Sequence, residues 1–256
     1  MLEQLFILLS VSIVIQIILF IPAFIYKTDK LTDLSYSFSF FILSLFAFWQ
    51  SPQNTGHILL FAMISLWAFR LGGYLFVRIR KIKRDKRFDG IRENFFRFLK
   101  FWLGQGVVVW LVMISSILYF GELVQLNYFA YTAIVAWGIA LIIEIVSDWQ
   151  KYVFINNKEN KGKWIESGLW KYSRHPNYFG EILHWVAIYL FVFGSLETLG
   201  KLIGLISPVA IFVIIVFATG LPILEREADK RWGSDQNYIK YKKRTSVLIP
   251  WFNKKI

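Results

Sequence analysis

Seven stretches of largely uncharged apolar residues, separated by polar blocks, run from one end of this 256-residue chain to the other. Each is close to the ~20 residues that a helix needs to cross bilayer hydrocarbon. The pattern predicts membrane-spanning helices near 5–25, 34–50, 58–77, 101–120, 128–147, 178–194 and 202–224. The first stretch lacks the basic start and small-residue cleavage site of a signal peptide, and it is longer than a signal core, so it reads as a span. No repeat and no low-complexity linker divides the chain, which reads as one domain over residues 1–256. The expected fold class is therefore all-α, a polytopic membrane protein of seven transmembrane helices.

Charge sets the expected orientation. Lys27 and Lys30 follow the first span, ten cations lie between Arg78 and Lys100, six between Lys151 and Arg174, and nine after Glu225. The intervening loops hold only Lys201. Basic loops stay cytoplasmic, so this alternation places the N-terminus outside and the C-terminus in the cytoplasm. A bacterial inner membrane and an endoplasmic reticulum membrane would give the same pattern.

Composition narrows the chemistry. The net charge of +12 would suit nucleic acid, but the cations sit in loops between apolar spans, so topology, anionic lipid or a phosphorylated ligand explains them better and no nucleic-acid partner is expected. Nothing in the sequence calls for an obligate protein partner. Cysteine is absent, which excludes disulfides, thiolate metal sites and thiol catalysis. His57, His175 and His184 are too scattered for a metal site, and none is expected. No G-x-G-x-x-G, G-x-x-x-x-G-K-[ST] or H-E-x-x-H motif occurs, so a nucleotide cofactor would not be held by a Rossmann domain.

Ionisable residues at membrane depth are costly and mark functional sites. Glu144 and Asp148 lie four apart on one face at the end of span 5, an arrangement that needs a cation, a proton or a ligand hydroxyl between them; Asp148 can alternatively sit at the water interface. Arg70 interrupts span 3 beside Gly72 and Gly73, where it can snorkel toward the basic loop. Span 6 is short, with Glu181 and His184 near its start. The densest polar run is Gly168-Leu169-Trp170-Lys171-Tyr172-Ser173-Arg174-His175-Pro176-Asn177-Tyr178-Phe179-Gly180-Glu181. Pro176 suits the first turn of a helix, whose free N–H groups favour an anion, with Lys171, Arg174 and His175 alongside. Gly220 and Pro222 should kink or end span 7 before Glu225-Arg226-Glu227, and the basic tail around Tyr238, Tyr241 and Arg244 reads as a helix on the lipid surface.

At these residues the chain resembles a known family. The run Ser173 to Glu181, with Gly168-Leu169-Trp170 before it and Thr245-Ser246-Val247-Leu248-Ile249-Pro250 after, is similar to the DUF1295 family, a relative of steroid 5α-reductases and, more distantly, of sterol C14-reductases and isoprenylcysteine and phospholipid methyltransferases. The likeness extends from about Trp67 through Ile249 and includes Arg70 to Leu75, Arg87-Phe88-Asp89 with Arg92, and Ser147-Asp148-Trp149-Gln150.

The resemblance implies a membrane reductase that takes NADPH from the cytoplasmic side and reduces an activated C=C bond in a steroid-like, isoprenoid or enoyl lipid. By position it implies cofactor contacts at Glu144, Asp148, Asn177 and Glu181, basic contacts near Arg78, and a shared C-terminal pattern at Tyr241 and Arg244. Arg70, Arg174, His175 and Tyr178 complete the candidate cofactor set. The Gln-Glu pair of the steroid reductases is replaced by Thr32-Asp33-Leu34-Ser35, and their span-3 Tyr falls near Trp67. Asp33 is then the expected catalytic acid, if burial keeps it protonated, and Tyr36 the alternative donor. Two other classes fit the same residues: an S-adenosylmethionine-dependent lipid or prenyl methyltransferase, and a non-catalytic lipid-binding membrane protein.

Overall fold

The computed structural model describes residues 2–81, 88–123 and 125–253. Lys83, Arg84, Lys86 and Arg87 of the longest basic loop, and Lys254 and Lys255 of the tail, lie outside the described residues. The described chain is helical throughout: α1 (Leu2–Ile25), α2 (Lys30–Trp49), α3 (Thr55–Lys81), α4 (Phe95–Phe120), α5 (Tyr128–Asn156), α6 (Pro176–Phe193), α7 (Thr198–Gly204), α8 (Ile206–Val213), α9 (Leu221–Trp232) and α10 (Gln236–Arg244), with short 3₁₀ turns at Lys158–Asn160 and Gly168–Lys171. Among the described residues no strand forms, and the one β-bridge joins Ser173 to Ser246.

Among the described residues six helices are long and apolar enough to cross a membrane: α1 to α5, and the composite Thr198–Trp232. Each expected span but the sixth became one of them, and α3, α4 and α5 run beyond the expected spans by several residues on the basic side. The exception is α6. It forms over 18 residues, yet Asn177, Glu181 and His184 occupy its first turns and leave too little apolar length. The last expected span is a broken one. Pro208 carries no N–H and its ring crowds the carbonyl four residues back, at Gly204, where α7 ends. A π-helical turn over Ile214–Ala218 then leads to Gly220, and α9 restarts with Pro222 in its first turn.

The chain divides into two compact units, Met1–Tyr131 with Ile188–Ser207, and Thr132–Ala187 with Pro208–Ile256. In the first unit α4 packs on α1, α2 and α7, and α2 also packs on α1 and α3. Several polar residues buried between these helices are hydrogen-bonded to one another or to backbone carbonyls, which offsets the cost of keeping them from water. Gln16 Nε2 donates to Ser39 Oγ at 2.8 Å, and Ser12 Oγ donates to the Gly106 carbonyl at 2.8 Å. Gln105 Nε2 reaches Ser35 Oγ at 2.7 Å, the Thr32 carbonyl at 3.1 Å and Gln16 Oε1 at 3.2 Å. Two N–H bonds serve three acceptors there, so one is shared.

At the basic end of this unit, Phe20, Phe88, Phe98 and Trp102 form an apolar plug. Beside it the buried Arg92 guanidinium bonds Asp29, Asp89 and Glu93 at once, tying the α1–α2 turn to the loop that enters α4. Asn94 caps α4, its Oδ1 accepting from the Arg97 N–H at 3.1 Å.

Candidate functional site

In the second unit the residues before α6 are fixed by the C-terminal segment. The Arg174 N–H donates to the Ser246 carbonyl at 2.8 Å, Ser173 Oγ donates to the Leu248 carbonyl at 2.6 Å, and the Trp251 N–H donates to the Tyr172 carbonyl at 3.1 Å. Upstream, Gly168 adopts φ +60°, and a Cβ there would lie 2.4 Å from the Gln150 amide. Glycine thus lets Gln150 Oε1 accept from the Leu169 N–H at 2.9 Å. Trp170 is held at both ends, its indole donating to the Ser147 carbonyl at 3.1 Å and its carbonyl accepting from the Tyr241 hydroxyl at 2.9 Å.

This frame supports a cluster around Glu225 of α9. Glu225 Oε1 accepts from Arg174 Nε at 3.1 Å and lies 2.8 Å from His175 Nε2, while Oε2 accepts from Arg174 Nη2 at 2.9 Å and lies 3.3 Å from Lys242 Nζ. Arg174 Nη1 donates to the Lys242 and Thr245 carbonyls at 2.5 Å and 3.2 Å. Burial pulls the His175 pKa below its ordinary value, although the hydrogen bond and charge of Glu225 oppose that shift. The ring is therefore neutral near pH 7 and donates through Nε2. The Tyr178 ring stacks on it, 5.8 Å between centroids. Burial also raises the Tyr241 hydroxyl well above the usual tyrosine range, so it stays a donor.

A cleft of about 770 Å³ opens beside this cluster. Its wall carries seven cations, Lys151, Lys158, Lys161, Lys163, Arg174, Lys230 and Arg231, against two carboxylates, Glu225 and Glu227. Aromatic rings supply the rest of the character. Trp164 meets Tyr238 edge-on at 5.3 Å and Trp232 at 6.2 Å, and Lys151 Nζ sits 4.9 Å above the Trp170 ring. The Trp164 indole N–H is buried without a partner among the described residues. Excess positive charge, flat apolar faces and a spare donor together suit a polyanionic ligand that carries a planar ring.

The candidate residues distribute as follows. Arg174, His175 and Tyr241 line the cleft. Arg244 pairs with Glu166 at 3.0 Å on the surface. Glu144 and Asp148 are buried on α5, and α6 seats directly against Glu144: a Cβ on Gly180 would lie 2.6 Å from Glu144 Cγ and 3.0 Å from the Ala140 carbonyl. That contact brings the Glu144 turn of α5 to the turn of α6 carrying Asn177, Tyr178 and Glu181, all half-buried. In the first unit, Asp33 Oδ2 lies 3.9 Å from Arg78 Nη1. Tyr36 packs edge-on to Phe40, which packs edge-on to the fully buried Trp67, and Arg70 is half-buried on α3.

In the sequence Glu225, the anchor of the cluster, stands out only as following the last span, and the lysines and Trp164 of residues 158–164 had no role assigned. Their signal was present as three lysines interleaved with Gly162 and Trp164.

A family model described as a protein of unknown function (DUF1295) matches residues 19–245. The chain belongs to the DUF1295 family. The match reaches further toward the N-terminus than the likeness from Trp67, and takes in the C-terminal end of α1 and all of α2, with Asp33 and Tyr36. No curated protein and no solved structure matches the chain. The DUF1295 segment also contains Gly180 and the α5 face that it packs against, together with Glu225 and the 158–164 loop.

Proposed function

We propose that this DUF1295 protein is an integral membrane reductase that uses NADPH to reduce an activated C=C bond of a lipid, steroid-like, isoprenoid or enoyl. The cationic, aromatic-walled cleft of the second unit carries the reading. NADPH brings a pyrophosphate, a further phosphate and two flat rings, which match lysines, arginines and tryptophans in kind and sign. S-adenosylmethionine carries a sulfonium and an ammonium against one carboxylate, so a wall of seven cations and two carboxylates opposes it. That sign argument sets the methyltransferase reading second. A non-catalytic lipid-binding protein would leave the cleft without a use.

The residues divide the work in this reading. Lys158, Lys161, Lys163, Lys230 and Arg231 would hold phosphates, and the Trp164–Trp232–Tyr238 cluster a ring face. Arg174, His175 and Glu225 fix the wall, while Asn177, Tyr178, Glu181, Glu144 and Asp148 offer hydrogen bonds from α5 and α6. When bound, NADPH supplies a hydride. In the first unit the Tyr36 hydroxyl could polarise a carbonyl or deliver a proton, and Asp33, paired with Arg78, could do so only when protonated. In the bilayer we place α6 as a seventh span, with its polar first turns at headgroup level, the N-terminus outside and the basic loops in the cytoplasm. The membrane would be a bacterial inner membrane or that of the endoplasmic reticulum.

The test is a titration of the detergent-purified protein with NADPH, NADH and S-adenosylmethionine, read by tryptophan quenching. Salt-sensitive binding of NADPH supports the reductase. Binding of S-adenosylmethionine without NADPH overturns it in favour of methyl transfer, and binding of neither overturns both.

A further inference from the structure

The first unit carries a second concavity, remote in character from the cationic cleft. It is a groove of about 380 Å³ between α2 and α3, closed on one side by Leu19 of α1. Its walls are hydrocarbon apart from Ser35 and Ser37, and both hydroxyls are already spent. Ser35 Oγ donates to the Thr32 carbonyl at 2.7 Å and accepts from Gln105, and Ser37 Oγ donates to the Leu34 carbonyl at 3.1 Å. A groove whose polar atoms are satisfied asks nothing of an occupant but apolar surface. Phe38 and Phe69 stand at its rim, 49% and 62% exposed, so it opens sideways rather than into the protein. It exists because α3 presents Gly72 and Gly73 there, and a Cβ on Gly73 would meet nothing within 4 Å.

Its length and its polar end define what fits. The α2 wall runs from Leu31 to Phe41, about 15 Å at 1.5 Å per residue. That is half of the ~30 Å hydrocarbon layer, the depth of one leaflet. The end at Leu31 is the end where Asp33 and Arg78 bridge α2 to α3. Lys30 and Arg80 are exposed at the same end, and Asp29 is turned away onto Arg92. Chain-sized apolar space thus meets an excess of cations at headgroup level.

We propose that this groove binds one hydrocarbon chain of an anionic membrane lipid from the leaflet on the basic-loop side, with the lipid headgroup at Arg78. The inference needs no cofactor and shares with the reductase reading only Arg78, the partner of Asp33.

Photo-crosslinking tests it. The protein is reconstituted into vesicles containing phosphatidylglycerol or phosphatidylcholine with a diazirine midway along one chain, and labelled peptides are located by mass spectrometry. Label from phosphatidylglycerol should concentrate in residues 31–41 and 66–77. It should fall at least tenfold in Gly73→Leu, which fills the groove from an open position, and Arg78→Gln should erase the preference over phosphatidylcholine. Nucleotide titration of Gly73→Leu should match the parent protein, so a failure of the cofactor reading and a failure of the groove are told apart. Label spread evenly over the helices, label unchanged in Gly73→Leu, or equal label from both lipids overturns the proposal. So does a Phe38→Cys, Phe69→Cys pair that crosslinks two copies of this otherwise cysteine-free chain in the bilayer, since a second copy would then fill the groove.

Discussion

His175 Nε2 lies 2.8 Å from Glu225 Oε1, so the residue that precedes α6 is bonded to the first exposed turn of α9 across 50 positions of sequence. The same carboxylate takes both ends of the Arg174 fork. Glu225 is thereby the common partner of the two basic residues in the most distinctive motif of the chain. Glu225→Ala should leave the Arg174 guanidinium half-buried without its carboxylate, at a cost of about 2–4 kcal/mol. A lower melting temperature in detergent, with Glu225→Asp partly restoring it, is the expected result.

The same pair sets a pH response. Burial lowers the folded-state pKa of His175, so between that value and the ordinary ~6.5 the unfolded chain binds a proton that the folded one refuses. Stability from this group is complete above ~6.5 and declines as pH falls below it. Melting temperatures of the parent should drop between pH 7 and pH 5, and His175→Gln should flatten that slope. Glu225, Arg174 and Lys151 are the charged groups that act on the ring.

Removing the lysines of the 158–163 loop should weaken an anionic ligand without harming the fold, because all three are exposed. Lys158→Ala, Lys161→Ala and Lys163→Ala combined should raise the NADPH dissociation constant by at least ~10-fold, about 1.4 kcal/mol. The affinity of the variant should also depend less on salt than that of the parent. Titration at two ionic strengths measures both.

Gly180 should tolerate no side chain. A Cβ there falls 2.6 Å from Glu144 Cγ and 3.0 Å from a backbone carbonyl of α5, and the second contact cannot be relieved by a rotamer change. Gly180→Leu should force α5 and α6 apart at a cost of ~1–3 kcal/mol or more. Gly73→Leu, placed in open space, is the matched control that should leave the melting temperature nearly unchanged.

Gln105 tests the buried network of the first unit. Its amide donates to Ser35, the Thr32 carbonyl and Gln16 at once. Gln105→Leu would leave Gln16 Oε1 without that donor in a water-free interior, and a loss of ~1–2 kcal/mol is expected. Gln105→Glu should do worse, since it adds a charge and removes the donors. Thermal melts of the two variants would rank them.

Several features of this protein were legible in the residue string. Apolar windows of membrane length became helices because a single segment in hydrocarbon satisfies its own backbone only as a helix. Pro176 starts α6, and Gly220 and Pro222 mark the last break, because these residues restrict the backbone wherever they stand. The candidate site was legible only where chemistry was dense in sequence, at residues 173–181. Glu225 and the 158–164 loop were not, since their meaning lies in what they face.

The sequence by itself determined that this is a helical membrane protein with strongly basic loops, and it placed the residues of the DUF1295 motif on or beside named helices. Both follow from local quantities, hydropathy summed over a helix length and backbone limits at single residues. The tertiary structure alone decided that Glu225 joins Arg174 to His175, that Gly180 seats α6 on Glu144, and that seven cations and a tryptophan cluster share one wall. Those contacts join segments far apart in sequence, as Tyr241 and Trp170 are at a separation of 71 residues. They depend on how side chains fill space between helices, which no window of sequence contains.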